Sequence, residues 1–104
     1  MESPILIDFW TVDPSMRVEL ARGISEGLQN VIVGRGGFVS AQLYEATDGD
    51  AMTVVVRMRT IKDRQQLTDS PAAHSLMREL RAIARSHVRL FQLVESFGES
   101  DEPS

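Results

Sequence analysis

The sequence predicts an α+β domain of the ferredoxin-like type, in which four antiparallel strands form one sheet and two helices cover one of its faces. Three observations support this prediction. Apolar periodicity follows the order strand, helix, strand, strand, helix, strand. An Asp-Gly pair separates two runs rich in β-branched residues, as in a β-hairpin, and each helix is preceded by a capping residue and a proline. The 104 residues leave room for one domain, expected over residues 1–97 and followed by a disordered acidic tail over 98–104.

The first strand is expected at Ile5–Thr11. Its side chains alternate, so that Leu6, Asp8 and Trp10 share one face, and both faces are apolar except at Asp8. A strand with two apolar faces is typical of the middle of a sheet. Asp13 and the proline after it then begin the first helix, as N-cap and first helical residue.

The first helix is expected to run to about Val33, and two glycines interrupt it. Gly23 and Gly27 stand beside its apolar stripe, where each costs roughly 1 kcal/mol relative to alanine. Two explanations are open. Either the helix packs closely against the sheet, or the missing side chains leave space for a flat ligand.

Between residues 37 and 60 the sequence indicates a β-hairpin. The Asp-Gly pair at 48–49 favours a type I′ turn with two loop residues. This turn fixes a register in which one face of the hairpin is entirely apolar and is expected to join the core. The pairs on that face are Leu43 with Val54, Ala41 with Val56 and Val39 with Met58, and those on the other are Tyr44 with Thr53, Gln42 with Val55 and Ser40 with Arg57.

A short helix is expected at Ile61–Leu67, and a second begins at Ser70, which caps it. The last strand is expected at Val88–Phe97. His87 is expected at the C-terminal end of the second helix, next to the carbonyl end of its dipole. The arginines spaced three and four apart are expected to form a solvated polar face along this helix and its exit: Arg78, Arg81, Arg85 and Arg89.

With both helices on one side, the other face of the sheet is left uncovered. It carries too much apolar surface for a monomer, so a homodimer packed through this face is expected. The apolar residues on it are Ile5, Ile7, Phe9, Tyr44 and Val55.

The composition and the absence of certain motifs argue against several classes of function. A net charge of −4 with scattered cations argues against nucleic-acid binding, and the absence of cysteine excludes disulfides and thiolate chemistry. No apolar run is long enough for a membrane span, and no signal peptide is evident, so a cytoplasmic protein is expected. No phosphate-binding loop, dinucleotide fingerprint or acidic metal cluster is present, so neither a metal nor a tightly bound cofactor is expected.

Several of these residues resemble a known family. The run Gly-Phe-Val-Ser-Ala at 37–41, the turn at 47–49, the valine-rich strand after it and the helix start at Ser70 resemble the antibiotic biosynthesis monooxygenases, which are dimeric α/β-barrels. The resemblance covers residues 5–97 and is nearest to the small anthrone oxygenases of aromatic polyketide pathways. It implies oxidation of a polycyclic phenol by molecular oxygen without a tightly bound cofactor. Reduced flavin as a diffusible co-substrate is the variant seen in some similar proteins.

The chain departs from that family at two positions. Where family members have Trp, an acidic residue and Ser, this chain has Met-Arg-Thr at 58–60, and where anthrone oxygenases have Asn it has Val54. Trp10 offers an aromatic wall from another strand. The departures leave open a non-catalytic accessory dimer and a polyketide cyclase on the same fold. A haem-degrading monooxygenase is a weaker alternative, because Asp8 replaces that family's Asn and His74 lies about one turn before its His.

The candidate site centres on Asp8. If its face of the strand packs on the helices, as the resemblance implies, burial raises the pKa of this carboxyl and makes it a base for the substrate. His74 is a candidate auxiliary acid or base. The alternatives are that Asp8 only bonds backbone or an arginine, and that His74 is a boundary residue. The predicted substrate pocket comprises Trp10, Gly23, Gly27, Leu43, Val54, Val56, Met58 and Met77.

Overall fold

Alternating apolar side chains build four strands, and three helices with apolar stripes connect them, in a computed structural model that describes residues 4–98. The tail predicted over 98–104 therefore lies outside the described residues except for Gly98. A 3₁₀ turn (Pro14–Met16) precedes the first helix, and a π-helical segment (Leu28–Ile32) follows it. The strands are β1 (Pro4–Thr11), β2 (Phe38–Glu45), β3 (Ala51–Met58) and β4 (Arg85–Gln92), and the helices are α1 (Arg17–Gly27), α2 (Ile61–Thr68) and α3 (Pro71–Arg81).

The strands pair antiparallel in the order β2-β3-β1-β4, so the predicted ferredoxin-like α+β class is confirmed. β1 lies between β3 and β4, as its two apolar faces indicated. The helices cover the face that carries Trp10, Val54 and Val56, and the core lies between these two layers. In the described part of the chain, no helix has the length and apolar character that spanning a bilayer requires.

The hairpin has the predicted register but a different turn. Leu43 pairs with Val54 and the neighbouring pairs follow, whereas a bulge around Val39 makes Phe38, not Val39, the partner of Met58. A type I′ turn requires positive φ at both central residues, and only Gly49 has it, at 82°. Its N–H donates to the carbonyl of Ala46 at 2.9 Å, which closes a type I-like turn one residue earlier.

Both predicted helix starts are confirmed by their caps. Asp13 Oδ1 accepts a hydrogen bond from the Ser15 N–H at 2.9 Å, and Ser70 Oγ accepts one from the Ala73 N–H at 3.4 Å. Because their partners lie within three residues, sequence alone specifies such caps.

The last strand is shifted from its predicted position. It begins at Arg85 and ends at Gln92, because α3 stops at Arg81 and the strand pairs with β1 along the whole of β1, as far as the pair of Gln92 with Pro4. Two expectations are corrected by this shift. His87 lies on β4 opposite Phe9 rather than at a helix end, and Arg85 and Arg89 lie on the strand rather than on the exit of the helix.

The face of the sheet away from the helices is uncovered, as predicted. Phe9 on the central strand is 44% exposed and Tyr44 is 57% exposed, although Ile5 on the same face is buried. A surface of this kind is unusual in a monomer and is the basis for the dimer proposed below.

Replacing Gly37 with alanine is expected to lower the free energy of unfolding by about 2–4 kcal/mol. Gly37 has φ of +84°, and a Cβ there would overlap the carboxyl of Asp63. That carboxyl is held at the start of α2, where its Oδ2 accepts a hydrogen bond from the Thr60 hydroxyl at 2.9 Å, so it cannot move without breaking that bond. Urea unfolding followed by circular dichroism measures the loss.

Gly36→Ala is the matched control, because no atom of the described residues outside its chain neighbours lies within 4 Å of a Cβ at that position and its φ is not positive. It is expected to change stability by less than about 1 kcal/mol. Equal urea midpoints for the two variants would show that the Gly37 backbone is not constrained as described.

Candidate active site

A cavity of about 700 Å³ lies between the helix-facing side of the sheet and the helices. Most of its walls are apolar, and its polar groups are few. Asp8 and Trp10 are buried in its wall, whereas His74, Arg78 and Arg81 are exposed and mark its mouth. The other lining residues are Leu6, Ile24, Leu28, Ile32, Val54, Val56, Leu67, Thr68, Ala73, Leu76, Met77, Leu80, Ala82 and Val88.

Asp8 is the ionisable group within the cavity wall. It is 5% exposed and pairs with Val54 on one side and Val88 on the other, and its Oδ1 has no hydrogen-bond partner within residues 4–98. Burial raises the pKa of this carboxyl from 3.8 to about 6, while the positive charge of Arg81 acts in the opposite direction. The group is therefore ionised at neutral pH yet considerably more basic than an ordinary aspartate.

Trp10 lies two residues further along β1, on the same face. Its side chain is 1% exposed, and its Nε1–H has no hydrogen-bond partner among the described residues. The alternation of the strand sets Trp10 beside Asp8. The cavity therefore has an aromatic wall next to its carboxylate.

His74 is tied to the chain segment before its own helix. Its Nε2 lies 2.7 Å from the carbonyl oxygen of Thr68. Since a carbonyl only accepts hydrogen bonds, Nε2 carries the proton and Nδ1 is left as an acceptor. The ring thus stands at the mouth of the cavity with a fixed tautomer.

Four of the eight residues predicted to form the pocket line the cavity, namely Trp10, Val54, Val56 and Met77, and four do not. Leu43 lies on β2, beyond the cavity, and Met58 is 2% exposed within the core at the end of β3.

Gly23 and Gly27 also lie away from the cavity lining, because α1 packs closely on α3. A Cβ on Gly23 would come within 2.7 Å of Leu80 Cδ2, and one on Gly27 within 2.5 Å of Leu76 Cδ2. The close-packing explanation for these glycines is therefore correct, with a helix rather than the sheet as the neighbour. The idea that they leave space for a ligand is wrong.

Sequence reasoning missed the two arginines at the cavity mouth and assigned them to a solvated face. Arg81 Nε donates to Ser86 Oγ at 2.9 Å, across the turn between α3 and β4. The signal was present in the spacing, since four residues recur at i, i+3, i+4 and i+7 along one face of α3: His74, Met77, Arg78 and Arg81. The sequence did not give the position of β4, and this position determines where that face of α3 points.

The described residues contain no group of three or more His, Cys, Asp or Glu side chains placed to hold a metal ion. The polar groups of the cavity instead consist of one carboxylate, one indole N–H, one imidazole, one threonine and two guanidinium groups. Such a set can accept a proton from a ligand, hold a hydroxyl or carbonyl oxygen, and attract an anion.

No protein-family model matches the chain, and no curated protein sequence matches it. Solved structures match over most of its length. SnoaB, a cofactor-independent oxygenase from Streptomyces nogalater, aligns with a TM-score of 0.73 at 16% identity, covering 95% of this chain and 100% of that one. A Chloroflexus aurantiacus protein provisionally assigned as an antibiotic biosynthesis monooxygenase gives 0.69 at 15% identity, covering 92% and 97%.

A conserved protein of unknown function from Bacteroides thetaiotaomicron gives a TM-score of 0.79 at 11% identity, covering 88% of this chain and 98% of that one. These neighbours confirm the resemblance to the antibiotic biosynthesis monooxygenases at the level of the fold. At such identities the fold is what is shared, and a common fold does not imply common chemistry.

Proposed function

We propose that this protein is a small monooxygenase that oxidises a flat polycyclic aromatic, of the anthrone or phenol type made in polyketide antibiotic pathways, with molecular oxygen. The observation that carries the proposal is the buried carboxylate of Asp8 in the wall of an apolar cavity of about 700 Å³, where one of its oxygens has no partner in the described part of the chain. A cavity of this size suits a ligand of several fused rings.

Asp8 is the proposed base. It takes a proton from a ring hydroxyl or from the methylene of the substrate, and the resulting anion passes one electron to dioxygen. The radical and superoxide combine to a peroxide, Asp8 returns its proton, and the hydroperoxide eliminates water to leave a ketone. One oxygen atom enters the product and the other leaves as water. The methylene carbon supplies all four electrons, so this route needs no external reductant.

Reduced flavin is the proposed alternative co-substrate. It would diffuse in and activate oxygen itself, leaving Asp8 to bind and deprotonate the aromatic. The name of the Streptomyces nogalater neighbour, a cofactor-independent oxygenase, supports the flavin-free route. No residue of the cavity is assigned to flavin.

His74 is the proposed auxiliary group. With Nε2 bonded to the Thr68 carbonyl, Nδ1 is free to accept a proton or a substrate hydroxyl at the cavity mouth. Because Nε2 carries the proton and donates it to the Thr68 carbonyl, that nitrogen is not available to a haem iron, which weakens the haem-degrading alternative.

The cavity also bears on the accessory-protein alternative. A chain kept only for assembly is expected to fill its interior with its own side chains, whereas an open volume beside a buried carboxylate is typical of an enzyme. A cyclase would use the same cavity and base without consuming oxygen, so oxygen consumption separates the two enzymes.

Oxygen uptake tests the proposal. Metal-free protein is mixed with anthrone or 1,8-dihydroxyanthrone in an oxygen electrode, with and without reduced flavin mononucleotide. One quinone formed per oxygen consumed without flavin is the expected result. Uptake only with flavin would move oxygen activation to that co-substrate. Absence of uptake in both cases, with cyclised product from a linear polyketide, would favour the cyclase.

The second part of the proposal is a homodimer formed through the uncovered face of the sheet. Phe9→Glu is expected to abolish it, because the carboxylate would be buried in the centre of an apolar interface. Multi-angle light scattering should give twice the chain mass of 11.6 kDa for the native protein and the single mass for the variant.

Val18→Glu is the control, since Val18 on α1 is 63% exposed but lies away from that face. It is expected to leave the dimer intact. A native protein that is monomeric at high concentration would contradict the proposed assembly.

A further inference from the structure

Two guanidinium groups stand at the mouth of an otherwise apolar cavity. Arg78 and Arg81 lie in the last turn of α3, both are exposed, and both line the cavity. Within residues 4–98, neither forms an ion pair, and the hydrogen bond found for the two is that from Arg81 Nε to Ser86 Oγ. The terminal nitrogens of both groups therefore remain available to a ligand.

The bond to Ser86 restrains Arg81. With Nε anchored to β4 at 2.9 Å, the planar guanidinium is held across the turn, and both of its terminal nitrogens can donate together. Such a fork matches the two oxygens of a carboxylate. A restrained arginine also loses less rotamer entropy when a ligand arrives.

Charge is separated along the cavity. Asp8 is the buried negative group, and the two arginines form a positive mouth, with apolar side chains making up most of the walls. A ligand carboxylate would be repelled near Asp8 and attracted to the arginines. Because apolar walls strengthen both effects, an acidic ligand would enter in one orientation.

We propose that the substrate carries a carboxylate, which Arg81 and Arg78 bind at the cavity mouth while its ring system reaches inward to Asp8. The substrate class is therefore a flat aromatic carboxylic acid. The inference rests on the proposed function only for the reaction at Asp8. Binding of the acid is independent of it.

Another role for Arg81 is to act solely as the counter-charge of Asp8. The charge of Arg81 does lower the pKa of that carboxyl. In that case, however, Arg81→Gln made in an Asp8→Asn background, where no carboxylate is left to neutralise, would not alter the preference for an acidic ligand. The two roles thus differ in a binding measurement.

The test compares 2-naphthoate with 2-naphthamide, a neutral analogue of the same shape, by titration calorimetry. Native protein is expected to bind the acid about 10- to 100-fold more tightly than the amide. Arg81→Gln and Arg78→Gln should each remove most of that preference, and Arg81→Lys should retain part of it. Arg22→Gln, which changes an exposed arginine on α1 outside the cavity, should retain all of it.

Salt provides an independent readout on the native protein. Raising ionic strength should weaken binding of 2-naphthoate and leave that of 2-naphthamide nearly unchanged. Equal affinities for acid and amide, or a preference that survives both glutamine variants, would overturn the proposal. Acid preference without oxygen uptake would uphold this inference and reject the oxygenase. Oxygen uptake without acid preference would uphold the oxygenase and reject this inference.

Discussion

Replacing Asp8 with asparagine is expected to lower kcat/KM for anthrone oxidation by about a hundredfold or more. Asparagine keeps the size of the side chain and a hydrogen-bonding oxygen but cannot accept a proton. The cavity, about 700 Å³ in volume, should keep its shape, so substrate binding is expected to change far less than turnover. Initial rates of oxygen consumption at pH 8 over a range of anthrone concentrations separate the two effects.

Glu26→Gln is the matched control, because Glu26 is an exposed carboxylate on α1 outside the cavity. Its kinetics should equal those of the native protein. Full activity in the Asp8 variant would show that another group, or the substrate's own acidity, supplies the deprotonation.

The same Asp8→Asn substitution is expected to stabilise the protein by about 2–3 kcal/mol at pH 8. A carboxyl whose pKa rises from 3.8 unfolded to about 6 folded is costly to ionise in the folded state. Well below pH 3.8 it is neutral in both states and costs nothing. As pH rises from about 4 to 6, the cost of ionising Asp8 lowers the free energy of unfolding of the native protein, and above about 6 this decrease is complete. The asparagine variant avoids it.

Urea unfolding at pH 4 and at pH 8 measures the difference between the two proteins. The variant's advantage should be small at the lower pH and full at the higher one, while Glu26→Gln should show no advantage at either. A variant less stable than the native protein at pH 8 would mean that the charged carboxylate has a stabilising partner.

The fold was predictable where the signal is local. Caps at Asp13 and Ser70 involve partners two or three residues away, and the alternation of β1 gives its position inside the sheet. The ends of β4 were not predictable, because they are set by pairing with a strand about 80 residues earlier in sequence. The bulge at Val39 likewise carries no composition signal.

The site was predictable only where neighbouring residues in sequence determine it. Asp8 and Trp10 lie on one face of one strand, so alternation alone places them together. Gly27 was ambiguous, because only the position of Leu76 on another helix decides between packing and space. Arg81 was missed because the residue it contacts, Ser86, lies on β4, whose position the sequence did not give.

The pH dependence of oxygen uptake tests the role of Asp8 most directly. Values of kcat/KM for anthrone are measured from pH 4.5 to 8.5 for the native protein and for Asp8→Asn, without flavin. Native activity is expected to fall about tenfold per pH unit below about 6 and to be level above it, because only the ionised carboxylate accepts a proton. The residual kcat/KM of the variant should not show this decrease below about pH 6. A native profile with no step near pH 6, or the same step in both proteins, would contradict the assignment of Asp8 as the base.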